Sequence, residues 1–415
     1  MGAPRLTMAV LMLSVFTVSM GFGIVLPALP FLLDTGIGGE ATQISRATGL
    51  LTGLYTFSLF LFAPTWGRLS DRHGRRDILL LGRLGFSATS LAFAFFESLP
   101  AIYAERFLSG LFAAAVTPVA LAAASDLAGS NTARARSLTF VSMAGVSGFL
   151  LGPMMGVFIA RGATSLLPVL GNLGTLVVPL SVNALIALLV ALAVIYFVPI
   201  NSANRERFSL PSAFAKNETL VIRMLALAFI VSAGVGVFEV GLALRGKQEL
   251  GLTQYQIAVM FTECSLVMLV FQAIVFSPLI RPVTTRLLVT PSFAILAVGL
   301  FLVPRASNFN LMLVATGAVA ASAGILSPIL TYWISNKAGP AQGAQLGQQT
   351  AAASLGAAIG ATLGGVLFNV AWLPNASFVL ITTVMLVGTA LSIRLPALLV
   401  PRKITESGAG PRLSL

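Results

Sequence analysis

The chain has 415 residues, 57% hydrophobic and only 9% charged, with a formal net charge of +12. Soluble domains are closer to half apolar and a quarter charged, so this chain lacks the polar groups to cover its own surface and must be solvated largely by lipid. A single histidine and a single cysteine, Cys264, exclude an intramolecular disulfide and argue against a His/Cys metal site.

Apolar runs long enough to cross a hydrocarbon core of about 30 Å predict twelve spans, at residues 8–33, 46–66, 77–97, 100–125, 137–160, 174–199, 221–245, 254–277, 286–304, 309–333, 344–371 and 375–397. The first run is about twice the length of a signal-peptide core and lacks a small-residue cleavage site, so it reads as a retained span. Between spans the basic residues are unevenly placed. Arg5, Arg68, Arg72, Arg75, Arg76, Arg134, Arg136, Arg205, Arg207, Lys216, Arg223, Arg281, Arg286, Lys337, Arg402, Lys403 and Arg412 fall on one side. The other side holds Arg46, Arg161, Arg245, Lys247 and Arg305. The positive-inside rule then puts both termini in the cytoplasm. The same asymmetry explains the net charge, and with no basic stripe interleaved with aromatics it argues against nucleic acid as a partner.

The longest polar interruption, NSANRERFSLPSAFAKNET, falls near mid-chain. It predicts a six-span bundle over 1–200, a cytoplasmic linker over 201–220, a second bundle over 221–398 and a tail over 399–415. Internal similarity supports the division: Gly21 and Gly23 of span 1 align with Gly234 and Gly236 of span 7, and GFLLGPMMG in span 5 parallels GAAIGATLGG in span 11. Repeated halves are a feature of secondary transporters. The expected fold is an all-α membrane protein, twelve transmembrane helices in two pseudo-symmetric bundles.

The stretch WGRLSDRHGRR, between spans 2 and 3, concentrates charge in a chain that otherwise avoids it. Its Gly67-x-Leu69-x-Asp71-Arg72-x-Gly74-Arg75-Arg76 pattern resembles the signature loop of the major facilitator superfamily. RFLSGLFAAA resembles that family's fourth-helix motif through Arg106, Gly110 and Ala113, with Ser109 where glutamine is common. SDLAGSNTARARS resembles the following acid-then-basic loop through Asp126, Arg134 and Arg136. GVSGFLLGPMMG resembles the fifth-helix motif of the twelve-helix drug:proton antiporter branch through Gly148, Gly152, Pro153 and Gly156, with one terminal glycine where the branch often has two. The resemblance implies a gate in which Asp71 meets the N-terminus of span 11 and Arg75 pairs with Asp126. It also links Arg106 to proton coupling and assigns an antiport role to the span-5 motif; Glu105, beside Arg106, reads either as a further proton-coupling candidate or as a local counter-ion.

The residues carry their own physics. A junction of about ten residues must turn sharply, and Gly67 and Gly74 can supply positive φ. The arginines suit an anionic lipid face, whereas Asp71 needs a cation or a helix N-terminus. His73 reads as a solvated loop residue. In span 5, glycines at intervals of four form one stripe that admits a close helix neighbour, and Pro153 can bend the helix.

Acids inside the bilayer are functional candidates by default. Glu239 lies about six residues from the end of span 7, roughly 9 Å deep, and Glu263 about nine residues into span 8, roughly 14 Å deep. Antiparallel neighbours could bring the two together. Many drug antiporters carry an acid in span 1, but 8–33 contains none, and Glu239 falls opposite Leu26 in the half-to-half alignment. The coupling acid has therefore moved to the second half, or the chain is not proton-coupled. For substrate contacts the choices are Phe238, Tyr332, Trp333, Gln348 and Gln349. Few embedded charges suit an amphipathic neutral or cationic molecule.

Three readings stay open on sequence: a proton-coupled exporter of hydrophobic or cationic small molecules; a transporter of one metabolite, siderophore or ion without proton coupling; and a transporter-like sensor or scaffold. The expected partners are a small-molecule substrate, protons and the bilayer, a bacterial inner membrane, with a monomer as default. No cofactor is implied, and no nucleophile–base or metal constellation suggests an enzyme.

Overall fold

A computed structural model describes residues 3–37, 40–93, 98–128, 131–166, 174–199, 218–275, 282–337, 342–395 and 399. Their regular structure is helical: α1 (Ala3–Ile37), α2 (Ala41–His73), α3 (Arg75–Ala92), α4 (Leu99–Asp126), α5 (Asn131–Leu166), α6 (Gly174–Phe197), α7 (Glu218–Gln248), α8 (Gln254–Val275), α9 (Val289–Leu302), α10 (Phe309–Lys337), α11 (Gln342–Val366) and α12 (Ala376–Ser392). Helices satisfy every backbone polar group internally, which lipid demands. Hydroxyls follow the same rule: Thr48, Thr52 and Thr56 each donate to the carbonyl four residues earlier, at 2.7, 2.9 and 3.1 Å. Helix continues through Pro27 and Pro30 in α1 and through Pro153 in α5.

Among the described residues nine helices are long and apolar enough to cross a membrane. The three others explain themselves in sequence. Arg75, Arg76, Asp77 and Arg83 make α3 polar, glutamines do the same for α11, and α12 is a shorter apolar helix of 17 residues. α1, α2, α4, α5, α7 and α10 overrun their predicted bounds, because amphipathic turns extend past the apolar run, whereas α6, α8, α9 and α12 fall short of theirs and α3 and α11 start and end earlier. The expected linker falls outside the described residues at 201–217, as does the tail at 400–415.

The α2–α3 junction corrects the expected ten-residue loop. Helix runs to His73 and restarts at Arg75, so Gly74 alone makes the turn, with φ 97° and its N–H donating to Ser70 O at 3.1 Å. Gly67, expected to supply a second positive φ, lies inside α2 with open space where a Cβ would stand.

Two glycine seams are built alike. In α5, Gly148 and Gly152 abut the backbone of α1; a Cβ on Gly152 would stand 2.6 Å from Met20 O and 2.9 Å from Gly23 Cα. In α11, Gly356 and Gly360 abut the α7 backbone at Phe229 and Ala233, and a Cβ on Gly364 would stand 3.1 Å from Val237 Cα. The stripes predicted from four-residue spacing are thus helix–helix contacts. Elsewhere α2 packs on α4 and α11, and α8 on α5 and α10. One buried apolar cluster is drawn almost wholly from α7 to α12 and two from α1 to α6.

Candidate functional site

At the Gly74 end, Arg75 is the hub of a small polar cluster. Its guanidinium meets Asp71 Oδ1 at 2.6 Å and Asp126 Oδ2 at 3.2 Å, and donates to Ser70 Oγ at 2.6 Å. The resemblance implied the Asp126 pair. With only Gly74 between two helices, Asp71 and Arg75 stand four residues apart and pair directly; the side chains at the N-terminus of α11, the other expected partner of Asp71, lie outside the described residues. Asp71, Arg72 and Asp126 are exposed. His73 Nδ1 lies 3.2 Å from Leu69 O.

Deeper in α4, Glu105 and Arg106 form a buried bidentate pair, Nε to Oε2 at 2.6 Å and Nη2 to Oε1 at 2.9 Å. Such a pair tolerates burial because each charge answers the other. The guanidinium lies over Phe93 at 4.9 Å and Tyr55 at 5.7 Å. From Tyr55 a run of rings crosses the molecule: Tyr55 stacks on Phe22 (5.1 Å), Phe22 on Phe149 (5.8 Å), and Phe149 meets Phe261 edge-on (6.4 Å).

That run ends at a cavity between α5, α7, α8 and α10. Its wall includes Phe149, Phe238, Phe261, Met268, Cys264 and Glu239. Glu239 is half-buried there, and its carboxyl makes no hydrogen bond or ion pair among the described residues. Glu263 is placed differently: Thr316 of α10 donates to its Oε2 at 3.0 Å, and the Cys264 thiol lies 3.8 Å from the same oxygen. A Cβ on Gly317 would stand 3.0 Å from Glu263 Oε1, so the glycine leaves room for the acid. Because α7 extends to Gln248, Glu239 is nine residues from its helix end, not six. Glu263 is nine residues from the start of α8, so both acids lie about 14 Å from the α7–α8 turn. They share a depth, with Cys264 on the cavity wall between their surroundings.

The other expected substrate residues are not on this wall. Trp333 is packed in the core, its indole donating to Thr285 Oγ1 at 3.1 Å, and Tyr332 meets it edge-on at 5.4 Å. Gln349 is buried and donates to Thr331 Oγ1 at 2.6 Å, while Gln348 is exposed. Of the five, Phe238 alone lines the cavity.

Arg83 is a buried charge outside the set of intramembrane acids. It is fully buried in α3, donating to Ser14 O (2.9 Å), Ala187 O (2.8 Å) and the Thr17 hydroxyl. One turn along α6, the fully buried Asn183 leaves both side-chain polar atoms without a partner among the described residues. A basic residue at the seventh position of the third apolar run was the available signal.

With this geometry in view, comparisons with known proteins agree on its kind. The family profile described as Major Facilitator Superfamily matches residues 11–304. "Multidrug resistance protein 2" of Bacillus subtilis is 26% identical over 395 residues, covering 92% of this chain and 93% of that protein. "Quinolone resistance protein NorA" of Staphylococcus aureus is 25% identical over 338 residues, covering 80% and 82%. Among solved structures, the human organic anion transporter MFSD10 (TETRAN) superposes with a TM-score of 0.73 at 20% identity, covering 94% of this chain and all of that one. A D-xylose–proton symporter superposes with a TM-score of 0.74 at 14% identity, covering 94% and 97%. At these identities the two structures speak for the fold alone.

Proposed function

The chain belongs to the Major Facilitator Superfamily, a multi-pass transporter of the cell membrane, and on that premise we propose that it exports hydrophobic or cationic small molecules in exchange for protons. In this reading α1–α6 and α7–α12 are the two bundles, both termini are cytoplasmic, and the α7–α8 turn faces outward. The observation that carries it is Glu239, a carboxyl with no hydrogen bond or ion pair among the described residues, on the wall of a phenylalanine-lined cavity. A carboxyl in apolar surroundings is costly unless a cation or a proton answers it, so the two compete for one place. That competition is what exchange requires. Phe149, Phe238 and Phe261 offer ring faces and edges to a flat organic cation. Similarity across nearly the whole length to a protein named for multidrug resistance supports export as the direction. Glu263, tied to Thr316, is the second acid of the cavity region, and Arg106, already answered by Glu105, holds α4 against Tyr55 and Phe93.

The test uses everted membrane vesicles with an imposed pH gradient and ethidium as the probe cation. Ethidium should dissipate the gradient in the native protein, and Glu239→Gln should abolish that response. Undiminished coupling in both Glu239→Gln and Glu263→Gln would remove these acids from the mechanism.

A further inference from the structure

Glu263 and Thr316 have fewer hydrogens between them than their contacts require in one fixed arrangement. The Thr316 hydroxyl lies 3.0 Å from Glu263 Oε2 and 2.9 Å from the carbonyl oxygen of Leu313, three residues earlier on α10. It owns one proton, and a carbonyl can only accept. When that proton goes to Leu313 O, the hydrogen in the contact with Glu263 must come from the carboxyl in its acid form. When Glu263 is a carboxylate it too can only accept, so Thr316 must turn its proton from Leu313 O to Oε2. Two protonation states of one acid thus set two orientations of one hydroxyl. The second carboxyl oxygen takes no part: Oε1 makes no hydrogen bond among the described residues and lies where a Cβ on Gly317 would stand 3.0 Å away.

We propose that Thr316 is a positioning residue that passes the protonation state of Glu263 to the α10 wall of the cavity. α10 lines that cavity through Val319, Ala320 and Ala323. They stand three, four and seven residues beyond Thr316 and so share its face of the helix. Farther along, α8 and α10 meet backbone to backbone, where a Cβ on Gly324 would stand 2.9 Å from Met268 Cα and O. Nothing in that contact changes with a proton. One end of the α8–α10 contact is therefore fixed packing, and the other is a bond whose sense depends on Glu263. The bond to a carboxylate is charge-assisted, shorter and about twice as strong as a neutral one. Thr316 is drawn toward α8 when Glu263 is charged and is returned to its own helix when Glu263 is neutral, and Val319 moves with it within one turn. Few groups compete for this role. Of the helices packed on α8, α7 brings Glu239 to the cavity, α10 carries no titratable side chain from Phe309 to Pro328, and α1 carries none from Leu6 to Leu33. α5 brings Arg161 over Tyr255, eight residues before Glu263 and about 12 Å away along α8. On α8 itself the Cys264 thiol lies 3.8 Å from Glu263 Oε2.

The place of this switch in a transport cycle rests on the proton exchange proposed above, and spectroscopy separates the two. Infrared difference spectra are recorded on the purified full-length protein across a pH titration, with no substrate and no gradient. The carboxyl band lost in Glu263→Gln belongs to Glu263. In Thr316→Val, which keeps the branched shape and removes the hydroxyl, that band should move to higher wavenumber, as for an acid without a partner. In Thr316→Ser it should return to its native position. Ethidium-driven proton flux in everted vesicles should fall about fivefold in Thr316→Val, the difference between a charge-assisted and a neutral bond, and recover in Thr316→Ser. A moved band in a protein whose native form shows no ethidium-driven flux keeps the switch and removes the exporter reading. A native band position in Thr316→Val, with that variant folded and monodisperse, would overturn the proposal. So would a titration in which Glu263→Gln removes no band, or a moved band with native flux.

Discussion

Gly49→Ala distinguishes a seam that opens from one that is only packed. The new methyl would stand 2.7 Å from Ala361 O and Gly365 Cα and 2.8 Å from Gly365 N, all backbone atoms of α11. Ordinary contact begins near 3.4 Å, so the two helices must separate by roughly 0.7 Å or strain, at a cost of about 1–3 kcal/mol typical of overpacking. Against this, alanine in a helix gains about 1 kcal/mol over glycine. If the seam parts during the cycle, the steric cost falls on the closed state alone, while the helix gain applies to open and closed states alike. The closed state then loses 1–3 kcal/mol relative to the open one, a factor of roughly 5–150 in the equilibrium. Global stability changes little, because the protein escapes the clash by opening. Two measurements on one sample decide it: maleimide labelling of Cys264 through the α7–α8 face, and thermal unfolding in detergent. Labelling should rise several-fold with the midpoint held within a few degrees. Unchanged labelling with a clearly lowered midpoint would refute the reasoning and make the contact permanent packing.

Asp71→Asn removes one of three partners of Arg75, leaving Asp126 and Ser70. The pair is half-exposed and worth no more than about 1 kcal/mol, so ethidium efflux in inverted vesicles should slow about twofold to fivefold while membrane insertion and the unfolding midpoint stay native. Asn183→Leu replaces a buried amide whose two polar atoms have no partner. It should raise stability by about 1–2 kcal/mol, read as a higher midpoint, and a fall of that size would mean that the amide holds water.

The elements of this fold were legible because lipid simplifies the code. An apolar run long enough to cross the bilayer must be a helix, and a stripe such as Gly148, Gly152 and Gly156 admits a close neighbour: Gly148 and Gly152 meet the backbone at Phe16 and Met20, and Gly156 meets the Ile24 side chain. Boundaries were less legible. The charged turn from Gly67 to His73 reads as a loop by composition, yet it continues α2 because helix needs no apolar residue once it has emerged from lipid. Site residues divided in the same way. Glu239 stood out as an acid in an apolar run, whereas Trp333 could not be assigned to core or cavity, since only its bond to Thr285 tells which way the indole turns. Arg83 was hidden by the habit of reading arginine as topology. Its carbonyl partners at Ser14 and Ala187 lie 69 and 104 residues away, a distance no local pattern reports.

Charge asymmetry carries one more lesson than topology. In the proposed topology, anionic lipid and water can serve an arginine on the crowded side without a partner in the protein. A basic residue on the sparse side has no such reason to be there, and the structure supplies one for four of the five. Arg245 donates to Ala306 O and pairs with Glu249. Arg305 donates to Phe301 O at 2.7 Å and lies over its ring. Arg161 covers Tyr255, and Lys247 holds Asp34 and Pro30. The first two hold the end of α7 and the end of α9 within one half of the sequence; the last two cross between halves. In the proposed two-bundle reading only a cross-half contact must break when the halves move, which would put Arg161 and Lys247 in the moving part and Arg245 and Arg305 in the frame. Exceptions to the positive-inside pattern thus point to where a transporter uses charge for structure, and sequence separation of the partner says whether that structure is fixed.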